Sequence, residues 1–302
     1  MEQQAAEVRR TPDAVTTEEI HHRIYSCIEE IPTLPAVVPR ILAVLEDEDA
    51  DVDQIAAVIS HDPSVTAKIL RVANSAYYGF SGEISTLPKA IVLIGLRMVK
   101  SLAVSIPLIH AFPGVRAGES GLNPRELWIH SLAVATLLQR LAHRRRHPHP
   151  EALFITGILH DVGQLILAHF FPPLFQRALL DVERGVVARL DIAERELFGA
   201  DHGTVAGILL RRWKFPSNLV APVACHHSDE IPDDVDRIAL AGLRVADHAA
   251  CRAAFSPSSH EEPELLETDL QELEIEPDDV ADLCEYLETH RDGFVSFYEA
   301  VG

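Results

Sequence analysis

The stretch GILHDVGQLI, residues 157–166, sets His160 and Asp161 side by side inside an otherwise apolar run. Burying two neighbouring ionisable groups is costly unless something compensates them, so this pair needs a partner. The partner is either a metal ion at a working site or a closed set of hydrogen bonds. Apolar residues recur at spacings of three and four around the pair and through nearly the whole chain, which is the period of helices with one buried face. Period-two alternation is scarce and no glycine-rich phosphate loop occurs, so the expected fold class is all-α.

A chain of 302 residues with 47% hydrophobic and 24% charged residues can bury one large core or two medium ones. No continuous apolar run of the roughly 18 residues a membrane span requires is evident. The strongest candidate, SLAVSIPLIHAF at 101–112, is interrupted by Pro107 and His110, so no membrane span is expected. The first residues, MEQQAAEVRRTPDAVTTEE, lack the apolar core of a secretory signal, which predicts a cytoplasmic protein. Cys27, Cys225, Cys251 and Cys284 form no C-x-x-C pair and read as free thiols in a reducing compartment.

The formal net charge is −20, and residues 256–302 hold fifteen Asp or Glu against the single basic Arg291. Such a surface repels phosphate backbones, which argues against nucleic acid as the main partner. The one basic cluster, HRRRHPH at 143–149, reads as a helix end running into a loop. It is either solvated or a docking patch for an anionic partner.

The helical pattern has clear punctuation. Thr16 with Glu19 forms a capping box for a helix through Cys27, which PTLP then ends. A second helix carries Val38, Ile41, Leu42 and Leu45 on one face, and Asp51 caps a third that buries Ile55, Val58 and Ile59. A second His-Asp pair, His61 and Asp62, directly precedes Pro63, which fits an N-cap followed by proline in the first turn. A short helix then breaks at Gly95 before a longer one with Val99, Leu102, Ala103 and Ile106 inward. PGVRAGESGLNP, 113–124, is the best boundary between two helical halves. Helices are expected at 125–142, 151–170, 173–186, 190–198, 202–213, 217–228 and 234–253, followed by a linker containing SPSSHEEPE. An acidic amphipathic tail closes the chain, with Leu283, Tyr286 and Leu287 as docking residues.

Sixteen histidines are many for this length, and several interrupt apolar helical stretches. They are His130 in LWIHSLAVA, His160, His202 in GADHGTVAGIL, and His226 with His227 in APVACHHSD, and Asp247 in LRVADHAA belongs with them. One buried histidine alone is ordinarily a satisfied core residue. A series in the order H, H-D, H, H-H, D is different, because imidazole and carboxylate suit iron, manganese or zinc, and packed helices can converge them on one interior point.

That order resembles the HD superfamily of metal-dependent phosphohydrolases over residues 128–250, in particular its cyclic-dinucleotide phosphodiesterase branch. The resemblance implies that His130, His160, Asp161 and Asp247 hold one metal, with Asp161 bridging to a second held by His202, His226 and His227. A bridged pair of cations would serve phosphate ester hydrolysis. The chain departs from that branch at Gln164, where lysine is usual, and after His227, where SDEIPDD replaces the Gly-Tyr-Pro motif.

IPTLPAVVPRIL, ISHDPSVTAKILRVANSAYYGFSGEISTLPKAIVLIGLRMVKSL and ELFGADHGTVAGILLRRWKFP, with the His-His pair, resemble the HDOD family of bacterial output domains over residues 22–250. This implies a disordered tail at 1–15, an N-terminal helical HDOD subdomain at 16–115, an HD-like helical subdomain at 116–255 and an acidic helical extension at 256–302. It also implies a regulatory module without a catalytic residue of its own, binding a signalling protein or a small nucleotide-like ligand and retaining one or two divalent ions. Within the NSAYYG element, Asn74 and Ser75 suit a turn. Tyr77, Tyr78 and Phe80 either cover the junction between the two halves or line a groove for a partner.

Overall fold

The computed structural model describes residues 17–31, 33–34, 37–45, 52–110, 119–257 and 263–302, and every regular element among them is helical. The first half consists of α1 (Thr17–Glu30), α2 (Val37–Leu45), α3 (Val52–Ser60), α4 (Pro63–Ala73), α5 (Leu87–Ile94) and α6 (Leu96–His110). α1 runs three residues past the expected end, because no breaker intervenes before Pro32. Ile20, Ile24 and Ile28 of α1 all point into the core, and Val38, Ile41, Ile55 and Ile59 continue it across α2 and α3. Thr16, Asp51, the side chains of Leu42 and Leu45, the 1–15 tail and the 115/116 boundary lie outside the described residues.

His61-Asp62 is a helix cap. The Asp62 carboxylate accepts from the backbone N–H of Ser64 at 3.0 Å and of Val65 at 3.1 Å, with Pro63 in the first turn. Gly95 sits at φ +89°, a conformation that favours glycine, and α5 and α6 meet there at 115°. The sharp bend lets both helices bury their apolar faces, with Val99, Leu102, Ala103 and Ile106 inward as expected. Asn74 secures the following loop: its amide donates to the carbonyl of Ile84 at 2.8 Å and its oxygen accepts from the Ile84 N–H at 2.8 Å.

The second half is organised on α7 (Pro124–Arg144), a long helix buried on most sides. α8 (Pro150–Leu159) packs against α7 and also against α6, so the hydrophobic core passes from one half to the other without a gap. The expected helix over 151–170 is interrupted at His160-Asp161, giving α8 and α9 (Val162–Phe170). Next come α10 (Pro172–Glu183), α11 (Leu190–Phe198), α12 (His202–Arg212), α13 (Ser217–Cys225) and α14 (Arg237–Ala250), which lies along α7. The segment Cys251–Phe255 ends this series where a plain helix to 253 was expected, leaving helical geometry at Ala253 and turning through Ala254 at φ +56°.

One expectation needs correction. Among the described residues, Pro150–Phe170 holds an 18-residue window with a mean hydropathy of 1.4, a stretch the sequence reading passed over in favour of SLAVSIPLIHAF. It is long and apolar enough to cross a membrane, but 89% of it is buried by the protein itself, as befits the core helix that carries His160 and Asp161.

The tail forms α15 (Glu267–Leu273), α16 (Pro277–Thr289) and α17 (Arg291–Val301). Leu287 is fully buried while Leu283 and Tyr286 pack partly against the core, as the amphipathic pattern predicts. The basic cluster and the acidic tail meet: Arg144 pairs with Asp279 and Arg145 with Glu274, each at 2.6 Å. These pairs are largely exposed and contribute little individually, so they set where the tail docks more than how tightly. α17 also covers the NSAYYG element, where Tyr77 stands edge-on to Phe294 and Phe297 at 5.6 and 5.3 Å. The Tyr77 hydroxyl meets Thr136 of α7 at 2.9 Å, so this residue covers the junction of the two halves.

Candidate metal centre

Each proposed ligand is delivered by a helix or a helix end. His130 lies in the N-terminal part of α7, His160 and Asp161 at the α8/α9 break, and His202 at the first position of α12. His226 and His227 immediately follow α13, and Asp247 is on the buried face of α14. Helix ends are suited to this role, because the side chains there are not masked by a following turn.

Close backbone approach makes the convergence possible. A Cβ on Gly163 would lie 1.9 Å from the carbonyl oxygen of His202, so α9 can reach α12 only with glycine at that position. A Cβ on Gly203 would lie 2.9 Å from the His226 ring. The Asp201 side chain caps α12 by accepting from the Thr204 N–H at 2.8 Å, which sets His202 at the start of the helix and facing inward.

All seven residues meet around Asp161. Its Oδ1 lies 3.3 Å from His160 Nε2, 3.1 Å from His202 Nε2 and 3.9 Å from His226 Nε2. Its Oδ2 faces the other way, 3.5 Å from His130 Nε2. His130 Nε2 is in turn 3.2 Å from Asp247 Oδ1 and 3.3 Å from His160 Nε2. His227 Nε2 approaches His202 Nε2 to 2.9 Å. Asp161 thus stands between His202, His226 and His227 on one side and His130 and Asp247 on the other, with His160 touching both through Asp161 Oδ1 and His130 Nε2.

The outer hydrogen bonds fix the ring tautomers. A carbonyl only accepts, so the contacts of His160 Nδ1 with Gly157 O at 2.8 Å and of His226 Nδ1 with Val223 O at 2.7 Å place a proton on each Nδ1. At His226, whose ring is held neutral, Nε2 is then left with a bare lone pair directed inward, the arrangement that metal-binding histidines use. Glu194 of α11, fully buried, accepts through Oε2 from both the backbone N–H of His202 at 2.7 Å and its Nδ1 at 2.6 Å. His226 Nε2 has no hydrogen-bond partner although it is buried. An orphaned buried acceptor aimed at a carboxylate fits a missing cation better than a finished core.

The electrostatics divide the histidines: burial opposes charge on the rings, but Asp161 holds His160 above the ordinary histidine value and Glu194 holds His202 well above it. Burial opposes the charge on Asp161, yet His160 and His202 hold its carboxyl well below the usual carboxylate range. Burial, with His202 and His160 nearby, pushes His226 down to about 4 and keeps its ring neutral, as a ligand must be. Burial and His226 also press His227 well below the ordinary histidine value. The cavity at the meeting point is ≈ 10 Å³, room for about one water-sized sphere. Arg189, Asp191, Cys251, Pro257 and Pro263 complete its lining.

Sequence reasoning missed four of these neighbours. Glu194 stands eight residues before His202, on a separate helix, and only the fold joins them. Cys251 follows Asp247 by one helical turn, a spacing that could have flagged it. Arg189 and Asp191 form a bidentate pair at 2.9 and 3.0 Å beside the cavity, in a loop-to-helix stretch that reads as surface.

With this geometry in hand, comparison with known proteins is informative. The HDOD domain pattern matches residues 31–229. The chain belongs to the HDOD family. The HDOD match is shorter than the 22–250 resemblance and stops before Asp247. An HDOD domain protein of unknown function from Geobacter sulfurreducens superposes with a TM-score of 0.74 at 24% identity, covering 93% of this chain and 99% of that one. A candidate phosphohydrolase from Shewanella amazonensis SB2B gives 0.73 at 26% identity over 92% and 98%. A candidate signal transduction protein from Marinobacter aquaeolei VT8 gives 0.78 at 18% identity, over 96% of this chain and 67% of that one. An uncharacterised Treponema pallidum protein is 22% identical over 228 residues, 72% of this chain; the chain spans 42% of that relative's length.

Proposed function

We propose that this HDOD protein is a bacterial cytoplasmic signal-transduction module in which a divalent metal holds the second half in its working shape. The ligands would be His130, His160, Asp161, His202, His226, His227 and Asp247, binding one ion or two. Support comes from one observation above all. Imidazoles of His130, His202 and His227 and the carboxylates of Asp161 and Asp247 line a cavity with room for little beyond an ion and a water. Iron and manganese suit a histidine-carboxylate set, and zinc is accepted by the same ligands. The metal then acts on the surface offered to a signalling protein or a small nucleotide-like ligand, since any ion bound only by the folded state stabilises it.

A second reading, metal-dependent phosphohydrolase, is favoured by Asp161 lying against His202 through Oδ1 and against His130 through Oδ2. Two ions shared by that carboxylate would supply Lewis acidity and a hydroxide nucleophile for a phosphoester. Against it stand the narrow cavity, Gln164 in place of lysine, and the engagement of Arg189 by Asp191. The readings separate in one assay: metal-loaded protein is offered a cyclic dinucleotide and a panel of generic phosphoesters. The regulatory reading predicts no turnover in the range of ordinary enzymes, and turnover abolished by His160→Ala or Asp161→Ala would establish the hydrolase instead.

A further inference from the structure

The two sides of the cluster are not chemically equivalent. One gathers His202, His226 and His227, all nitrogen donors. The other gathers His130, Asp247 and a sulfur, Cys251, whose candidate ligand atoms lie within 4.8 Å of one another. We propose that Cys251 is a thiolate ligand of the metal position built on His130 and Asp247, and that it gives that position a preference for zinc or ferrous iron over manganese. This rests on the metal-centre reading above and deepens it.

Two observations carry the proposal. Cys251 follows Asp247 by four residues, so the two side chains share one face of the helix. Cys251 Sγ lies 3.6 Å from Asp247 Oδ1, and the residue lines the same cavity as His130, Asp161 and His202. Ligands about 2.0–2.3 Å from one ion can stand no more than about 4.6 Å apart, so a cluster of this span closes on a cation with small rotamer changes. The soft sulfur donor then sets the preference, since thiolates select zinc and iron while carboxylate and water suit manganese.

Asp247 and Cys251 both lie beyond residues 31–229, the segment shared with the HDOD pattern. The mixed donor set is therefore a property read from this chain. The other three cysteines make no such cluster among the described residues: Cys27 is on α1, Cys284 approaches the Ala249 carbonyl at 3.5 Å, and Cys225 is partly buried at the end of α13.

The test is cobalt substitution of the full chain. Metal-stripped protein is titrated with Co²⁺ and followed in the visible region for bound cobalt, and in the near ultraviolet for the thiolate-to-cobalt charge-transfer band. Wild type and the distant control C27S should both show that band, and C251S should lose it while still binding cobalt. Should C251S fail to fold, alkylation of wild type gives the same answer, because bound cobalt must protect Cys251 from iodoacetamide when peptides are mapped by mass spectrometry. Cobalt bound with no charge-transfer band in wild type, or alkylation of Cys251 at an equal rate with and without cobalt, would overturn the proposal and leave the metal centre standing. Failure to bind cobalt at all would overturn both.

Discussion

Replacing Glu194 by alanine tests how the centre is held together. Its Oε2 is the sole acceptor for two donors of His202, the backbone N–H at 2.7 Å and the ring Nδ1 at 2.6 Å, and its other oxygen has no partner. Truncation therefore removes two charge-assisted hydrogen bonds and leaves two buried donors unsatisfied. Each such bond contributes about 1.5–3 kcal/mol, so the folded state should lose at least ~3 kcal/mol, a large part of the 5–15 kcal/mol typical of a domain. The metal should feel the loss separately, because freeing the imidazole to rotate weakens metal binding by roughly 10–100-fold when such an outer partner is removed. Glu194→Gln keeps an oxygen acceptor without the charge and should fall between. The assay is competition of Zn²⁺ against a chromophoric chelator, with thermal melts by circular dichroism on the same samples. A folded E194A variant with wild-type zinc affinity would refute the argument that Glu194 orients His202.

Further outcomes follow from the same geometry. Gly163→Ala places a Cβ 1.9 Å from the His202 carbonyl, so α9 and α12 must part, costing about 1–3 kcal/mol and lowering metal content on elemental analysis. Phe294→Ala, at a fully buried ring stacked edge-on to Tyr77, should cost about 3–5 kcal/mol in denaturant unfolding and loosen the tail from the first half. Burial pushes Asp269 up to about 6, and Arg244 offsets this only in part. Its folded value thus exceeds the unfolded one, so the stability it contributes is complete at low pH and lost as pH rises from about 4 to about 6. D269N should flatten that component of a melting-temperature profile.

Much of the fold was legible because its signals are local. Asp62-Pro63, Gly95 and the 190–198 helix follow from caps, breakers and apolar spacing, each set within one or two turns. The interruption at His160-Asp161 was not legible, because apolar residues continue on both sides and the close approach of Gly163 to the His202 backbone is set only by the fold. The link between HRRRHPH and the acidic tail escaped for the same reason, since Arg144 and Asp279 are 135 residues apart in sequence. At the site, the seven histidines and aspartates stood out as polar residues in apolar helices. Glu194, in an ordinary amphipathic helix rich in charge, carried no such contrast, and Cys251 is a residue type commonly buried for packing alone.

The central claim is that Asp161 organises a metal-binding point shared by five parts of the second half. Elemental analysis of protein purified without oxygen or chelators, beside D161A and H160A variants that keep wild-type helicity, tests it most directly. The account predicts at least one iron, manganese or zinc per wild-type chain and almost none in either variant. A wild-type protein that stays metal-free after incubation with all three ions, or a D161A variant with undiminished metal, would contradict it.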